Sequence, residues 1–201
     1  MASPTVGDVI KLKRLAKYLA KYPRAVFKYK FQKPLSKIRV FSDIDWAGCI
    51  KTRKSTQGGV VMLGGCAIKS WASTQALISL SSGEAEYYGI VKAASVGLGV
   101  KATMADMGCV LDLEVLTDAS AAKGIASRRG LGKTRHVDVH FLWVQERVHR
   151  GDLVVSKVWG GDNPADLLTK YLTRDKINKC MLIFGMEYKE GRSAQAPEVA
   201  K

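Results

Sequence analysis

No uncharged apolar run in the 201 residues approaches the roughly 20 that a helix needs to cross a bilayer, so the sequence predicts no membrane-spanning helix. The opening MASPTVGD lacks the apolar core of a secretory signal peptide. The four cysteines, Cys49, Cys66, Cys109 and Cys180, form no C-x-x-C pair and have no histidine at zinc spacing, which excludes a zinc ribbon. They read as reduced, incidental thiols of an intracellular protein. Internal repeats and low-complexity blocks are also missing. Acidic residues are scarce: 18 Asp and Glu stand against 32 Lys and Arg, a net charge of +14. Such an excess, interleaved with Tyr, Trp and Arg, points to a nucleic-acid partner. An anionic membrane surface fits less well, because the basic residues are spread over many segments and form no single amphipathic anchor.

With acids so few, their positions carry information. Residues 37–48 read KIRVFSDIDWAG, a strand-type run that ends in two aspartates. In an extended chain Phe41, Asp43 and Asp45 share one face, and Val40, Ser42, Ile44 and Trp46 share the other. An ionised Asp inside a β-branched and aromatic strand loses several kcal/mol of solvation unless a cation or hydrogen-bond donors hold it. Two readings of the stretch stand: a metal ligand at a strand end, or a strand that stops at Phe41 and passes into a solvated turn.

Around this run the chain divides in order. Residues 9–22 carry Leu12, Leu15, Ala16 and Leu19 at helical spacing among lysines, and Pro23 ends the pattern. In residues 25–31, AVFKYKF, aromatics alternate with lysines as in a half-exposed strand. Residues 1–36 therefore read as an appended segment, 37–175 as the main domain and 176–201 as a C-terminal extension, disordered from about residue 189. Within the main domain, two further apolar runs flank Gly64-Gly65, a hairpin signal. A helix follows from about 82 to 100, capped by Ser81 or Ser82, with Glu86 the one charge on a stripe of Gly89, Ile90, Ala93 and Gly97. Small residues there would let the helix sit close on a sheet. A short strand ends at Thr117-Asp118, and a helix runs over 119–127. The basic loop RRGLGKTR follows; it lacks both the glycine and the preceding strand that a P-loop requires. A helix is expected over 136–150 and a strand over 153–158. Asn163-Pro164 would open a last helix with Asp166 in its first turn.

This order is an α/β layout with an antiparallel hairpin edge and helical crossovers. Four acids, Asp43, Glu86, Asp118 and Asp166, fall at element ends or on an otherwise uncharged helix face. Clustered carboxylates raise one another's pKa, so such a set makes sense chiefly around divalent cations. Around two Mg²⁺ ions roughly 3.5–4 Å apart, for which Mn²⁺ could substitute, a water can be activated and a phosphodiester cut.

The segments FSDIDWAG, RKSTQGGVVMLGG, LSSGEAEYYGI, TDASAAKGIA, TRHVDVHFLWVQERV and NPADLLTK resemble the ribonuclease H domain of copia-type (pseudovirus) LTR retrotransposon Pol polyproteins. The basic helix and strand before them are similar to the end of the connection from the reverse transcriptase. The resemblance implies a ribonuclease H-like fold: a five-stranded mixed sheet, three antiparallel strands then two parallel, flanked by helices. It implies that Asp43, Glu86, Asp118 and Asp166 are the catalytic metal ligands of an endonuclease that hydrolyses the RNA strand of RNA–DNA hybrids during reverse transcription. The implied partners are the hybrid and the reverse transcriptase domain of the same polyprotein, and the implied location is a cytoplasmic retroelement particle, or the nucleus. Alternatives stay open residue by residue. Glu84 could face inward in place of Glu86, Asp45 could brace the turn, and Asp118 and Asp166 could serve as helix-terminal acids.

One departure matters. Many ribonucleases H carry a mobile histidine shortly before the last acid, and WGGDNPAD has none. The proton would then come from water or Asp162, with slow turnover, in a loop that Gly160-Gly161 leaves flexible. His136, His140 and His149 read as structural or surface residues. Gln75, Ser82, Gly83 and Ser120 are the candidates for reading 2′-hydroxyls across the shallow minor groove, and Arg128, Arg129, Lys133 and Arg135 for holding phosphates. Two competing readings are a catalytically inactive nucleic-acid-binding remnant of a Pol protein and an integrase-like nuclease. The second fits less well, because its acids run Asp, Asp, Glu. No polymerase, protease or integrase segment is recognisable, so the chain is expected to be a piece of a longer polyprotein.

Overall fold

The computed structural model describes residues 3–132, 137, 139–191 and 193. Helix α1 (Val6–Lys21) begins at a capping box: Thr5 Oγ1 accepts from the Asp8 N–H, and the Asp8 carboxylate accepts from the Thr5 N–H. None of its residues is buried. The aromatic–lysine alternation after it predicts a strand through residue 31, but β1 (Ala25–Phe27) stops at Phe27. Its partner sets that length, because β7 (Met186–Tyr188) offers three residues to pair with.

The central sheet comprises β2 (Lys37–Asp45), β3 (Thr56–Leu63), β4 (Cys66–Thr74), β5 (Asp112–Thr117) and β6 (Val154–Lys157), in the spatial order β4-β3-β2-β5-β6. The first three are antiparallel, joined at Gly64-Gly65 where Gly64 takes φ +58°, and β5 and β6 run parallel to β2. This is the five-stranded mixed sheet expected from the sequence. The strand at residues 37–45 continues past Phe41, so the reading of residues 42–45 as a solvated turn is set aside.

Helix α2 (Ser82–Asp106) starts at Ser81, whose hydroxyl accepts from the Glu84 N–H at 3.2 Å, and lies across the sheet on its small-residue stripe. A Cβ on Gly97 would come within 2.7 Å of Leu113 and 3.0 Å of Val40, and one on Gly89 within 2.7 Å of Ile44 and 2.8 Å of Ser42 Oγ. Tyr87, Ile90, Val40, Leu113 and Val115 fill the core on this face. The other face is a smaller cluster of Val60, Met62, Ala67 and Phe184. Helix α3 (Ser120–Ser127) follows β5.

Two further expectations need correction. The helix expected over 136–150 is a 3₁₀ turn (Val139–Leu142) followed by α4 (Trp143–His149), with residues 133–136 and 138 outside the described residues. Tertiary contacts override the helical pattern there: the Tyr87 hydroxyl donates to the Phe141 carbonyl at 2.8 Å, and the Phe141 ring lies 4.5 Å from Tyr88. The helix expected from Asn163 is a single 3₁₀ turn (Pro164–Leu168), and the last α-helix is α5 (Arg174–Ile183). Strand β7 then returns to β1, so the first and last segments of the chain meet. Of the tail expected to be disordered, residues 192 and 194–201 lie outside the described residues.

The approach of α2 to the sheet can be tested at two glycines of one helix. Gly89→Ala is expected to destabilise the protein by about 1–3 kcal/mol through overpacking against Ile44 and Ser42, less the helix propensity it gains. Gly99→Ala, where a Cβ meets nothing within 4 Å, is expected to stabilise it by about 0.5–1 kcal/mol. Urea unfolding midpoints of the two variants check both signs.

Candidate metal centre

Strand β2 occupies the middle of the sheet, between β3 and β5, and its last residues carry the first acid. Asp43 is fully buried. Opposite it on β3 stands Gly58, where a Cβ would come within 2.7 Å of Leu168 Cβ and 2.8 Å of Thr169 Cγ2. The absence of a side chain at Gly58 therefore lets the turn at Pro164–Leu168 settle onto the strand end. Asn163, also buried, fastens that turn by donating to the Ser42 carbonyl at 3.0 Å and accepting from the Ala165 N–H at 3.2 Å.

Glu86 stands one turn before Gly89, so the close packing at that glycine delivers it to the end of β2. Asp118 directly follows β5, the parallel neighbour of β2, beside Gly160, where a Cβ would lie 3.1 Å from Asp118 Oδ2. Carboxylate oxygens of Asp43, Glu86 and Asp118 lie within 4.8 Å of one another, close enough to hold one metal ion. Glu84, the alternative to Glu86, is buried and otherwise engaged: its carboxylate accepts from the Leu80 N–H at 2.9 Å and the Tyr88 hydroxyl at 2.8 Å. Glu86 Oε2, by contrast, is buried without a hydrogen-bond partner among the described residues. Asp45 turns away to pack on Gly48.

Asp166 joins the group through a residue that the sequence reading did not weigh. The Lys170 ammonium donates to Asp43 Oδ1 and to Asp166 Oδ1, each at 2.8 Å, and the Thr169 hydroxyl donates to Asp43 Oδ2. The signal for Lys170 was present in NPADLLTK: it follows Asp166 by four residues, the spacing of a helical ion pair.

Charge crowding shows in the protonation equilibria. Burial, and then the charges of Asp43 and Asp118, push the Glu86 carboxyl up to about 8. Burial and then Asp43 raise Asp118 as well. For Asp166 burial raises the pKa and outweighs the hydrogen bond from Lys170. Burial works against the Lys170 ammonium, but its bonds to Asp166 and Asp43 prevail and raise its pKa above the ordinary value.

The residues expected to meet nucleic acid divide. Ser82 is exposed and Gly83 half-buried in the first turn of α2; a Cβ on Gly83 would come within 3.2 Å of Ala121 at the start of α3, where Ser120 is exposed and accepts from Lys157 Nζ at 2.6 Å. These three therefore lie together at the end of the molecule that carries Asp118. Gln75 does not join them. It is buried, donating to the Ala85 carbonyl at 2.9 Å and accepting from Ser79 Oγ at 3.2 Å, so its amide braces the loop before α2. Arg128 folds back over Gly132 and donates to the Leu131 carbonyl, closing its own loop, while Arg129 is exposed. Lys133, Arg135 and His136 lie outside the described residues; His140 and His149 are exposed. Gln145, a buried side chain overlooked in the sequence, clamps the basic loop through the Gly130 N–H, the Gly130 carbonyl and the Ile125 carbonyl. The loop at Gly160–Asp162, expected to be flexible, is a 3₁₀ turn pinned by Lys179, which donates to the Gly161 carbonyl at 2.9 Å and Asp162 Oδ1 at 2.6 Å.

A raised carboxyl pKa has a definite effect on stability. The folded protein holds a proton on Glu86 that the unfolded chain releases near its ordinary value of 4.5, so the contribution is fully present below pH 4.5 and is lost as pH rises through about 8. In chelator, urea unfolding is expected to show stability falling by up to a few kcal/mol across that window. Glu86→Gln should flatten the decline, and a slope unchanged in the variant would rule out Glu86 as its source.

No protein-family model matches the chain. It is 30% identical over 151 residues to the retrovirus-related Pol polyprotein from transposon TNT 1-94 of Nicotiana tabacum, covering 74% of this chain and 11% of that protein. To the corresponding polyprotein from transposon RE1 of Arabidopsis thaliana it is 31% identical over 178 residues, covering 87% of this chain and 12% of the relative. The matched stretch thus spans only about an eighth of either relative or less. Among solved structures it is similar to the N-terminal RNase H domain of a Mycobacterium tuberculosis protein, with a TM-score of 0.47 at 19% identity over 72% of this chain and 96% of that one. LC11-RNase H1 in complex with an RNA/DNA hybrid gives a TM-score of 0.45 at 17% identity, over 66% and 94%. The chain is thus homologous to one segment of the retrovirus-related Pol polyproteins of plant transposons, and that segment folds around a five-stranded mixed sheet, three strands antiparallel and two parallel.

Proposed function

We propose that this domain hydrolyses the RNA strand of RNA–DNA hybrids, with Asp43, Glu86, Asp118 and Asp166 holding two divalent cations, Mg²⁺ by preference and Mn²⁺ as a substitute. One observation carries the reading: a buried carboxylate oxygen, Glu86 Oε2, has no hydrogen-bond partner among the described residues and belongs to a group of three acids whose oxygens lie within 4.8 Å. Carboxylate donors alone, without thiolate or imidazole, suit hard cations such as these. The bound cations would supply Lewis acidity and a water of lowered pKa.

The chain's own residues do the rest. The end of β2 and the first turn of α2 hold their acids on rigid elements, so the ligands are preorganised. Exposed Ser82 and Ser120 and the backbone at Gly83 stand beside the centre, where polar groups can meet the 2′-hydroxyls that distinguish the RNA strand. Arg129, with Lys133 and Arg135, would bind phosphates of either strand without sequence preference. Asp162 is tied to Lys179, so water is the better proton donor to the leaving 3′ oxygen. The hybrid, the reverse transcriptase domain of the same polyprotein and an intracellular retroelement particle form the setting this reading implies. A second reading, a binding remnant without catalysis, draws on Lys170: an ammonium already neutralises part of the acid group.

Cleavage of a hybrid with labelled RNA decides between them. RNA products are expected with Mg²⁺ or Mn²⁺ and none with EDTA or on double-stranded RNA, and Asp43→Asn should reduce the rate by at least about 100-fold. Hybrid binding without products from a folded sample would point to the remnant or to a domain that cuts only beside its polymerase.

A further inference from the structure

We propose that Lys170 is a resident cation of the metal-free site, which a divalent ion must displace from between Asp43 and Asp166. The inference rests on the metal-binding reading above and concerns how the site is kept before the metal arrives.

Geometry makes the two occupants exclusive. The ammonium contacts Oδ1 of Asp43 and Oδ1 of Asp166 at 2.8 Å each, and the Thr169 hydroxyl takes the other oxygen of Asp43. A metal ion bridging the two aspartates through their facing Oδ1 atoms needs those same oxygens. Without any cation, the fully buried Asp43 would stand uncompensated beside Glu86 and Asp118, an arrangement that is strongly destabilising. The lysine removes that penalty, and its construction allows it to leave. Its side chain is 39% exposed, it hangs on a flexible four-carbon stem, and it follows a single 3₁₀ turn. An ammonium can therefore swing to solvent without moving the strand that carries Asp43. Glu86 Oε2, which Lys170 does not reach, stays open to an arriving ion.

Two consequences with opposite signs separate this role from that of a fixed ion pair. A resident competitor lowers apparent metal affinity by the fraction of molecules it occupies, so removing it tightens binding. It also supports only the metal-free fold, so its removal harms stability in chelator and not in excess metal.

The test uses the full chain and Mn²⁺ as the probe, followed by isothermal titration, with melting curves in EDTA and in saturating MgCl₂. Lys170→Gln is expected to bind Mn²⁺ about tenfold more tightly, the change for a site held by the lysine nine times in ten. Its melting temperature should fall below wild type in EDTA and match it in MgCl₂. In the wild-type protein alone, amine-reactive labelling read by mass spectrometry should show Lys170 becoming more reactive when Mg²⁺ is added, so the inference stays testable even if the variant does not fold. Weaker or unchanged Mn²⁺ affinity in Lys170→Gln, a stability loss that persists in MgCl₂, or labelling that does not rise would overturn the displacement. Absence of Mn²⁺ binding by both proteins would overturn the metal reading itself, and this inference with it.

Discussion

A carboxylate with no access to water, at the end of the central strand, is the constraint on which the rest of the architecture turns. Asp43 lies fully buried on the central strand of the sheet, where an unpaired charge is costly to keep. Everything that makes the position tenable comes from elsewhere in the chain. Gly58 yields space for the turn that brings Thr169 and Lys170, Asn163 ties that turn to the Ser42 carbonyl, and Gly89 admits α2 closely enough for Glu86 to arrive. Three residues with small or amide side chains thus do as much for the centre as the acids do.

The charge distribution has two scales that pull in different directions. Over the whole molecule, +14 draws in a polyanion from beyond contact distance. Within the centre, four acids and one lysine leave a local excess of negative charge that would repel a phosphate. Long-range attraction and short-range repulsion are reconciled only when further positive charge enters the acid group. On the proposed function, metal loading and engagement of nucleic acid would be coupled through electrostatics.

Much of this was legible in the residues, and the limits have physical causes. The alternation in residues 37–45, the Gly-Gly hairpin and the Gly89, Ala93, Gly97 stripe are local patterns, and the structure follows them. Acids on otherwise uncharged faces stand out for the same reason, and Asp43, Glu86 and Asp118 come together in space. Strand β7 carried no such signal: three residues, MEY, pair only with a segment some 160 positions earlier. Gln75 and Arg128 look like surface polar groups by type, and only the folded chain shows their hydrogen bonds turned inward to backbone carbonyls. Lys170 was hidden by its commonness, since one lysine among many in a basic chain attracts no notice until its two carboxylate partners are known.

The small sheet of β1 and β7 gives the domain a mechanical property. Ala25 pairs with Tyr188, and the Lys189 N–H donates to the Arg24 carbonyl, so the chain enters and leaves the domain at neighbouring points on one edge. Tension applied between residues 24 and 189 meets the antiparallel pair end-on, and its bonds open one at a time. The five-stranded sheet is spared until that seam has parted. Force applied to the segments on either side of the seam would be absorbed there first, leaving the acid centre intact while those two segments separate.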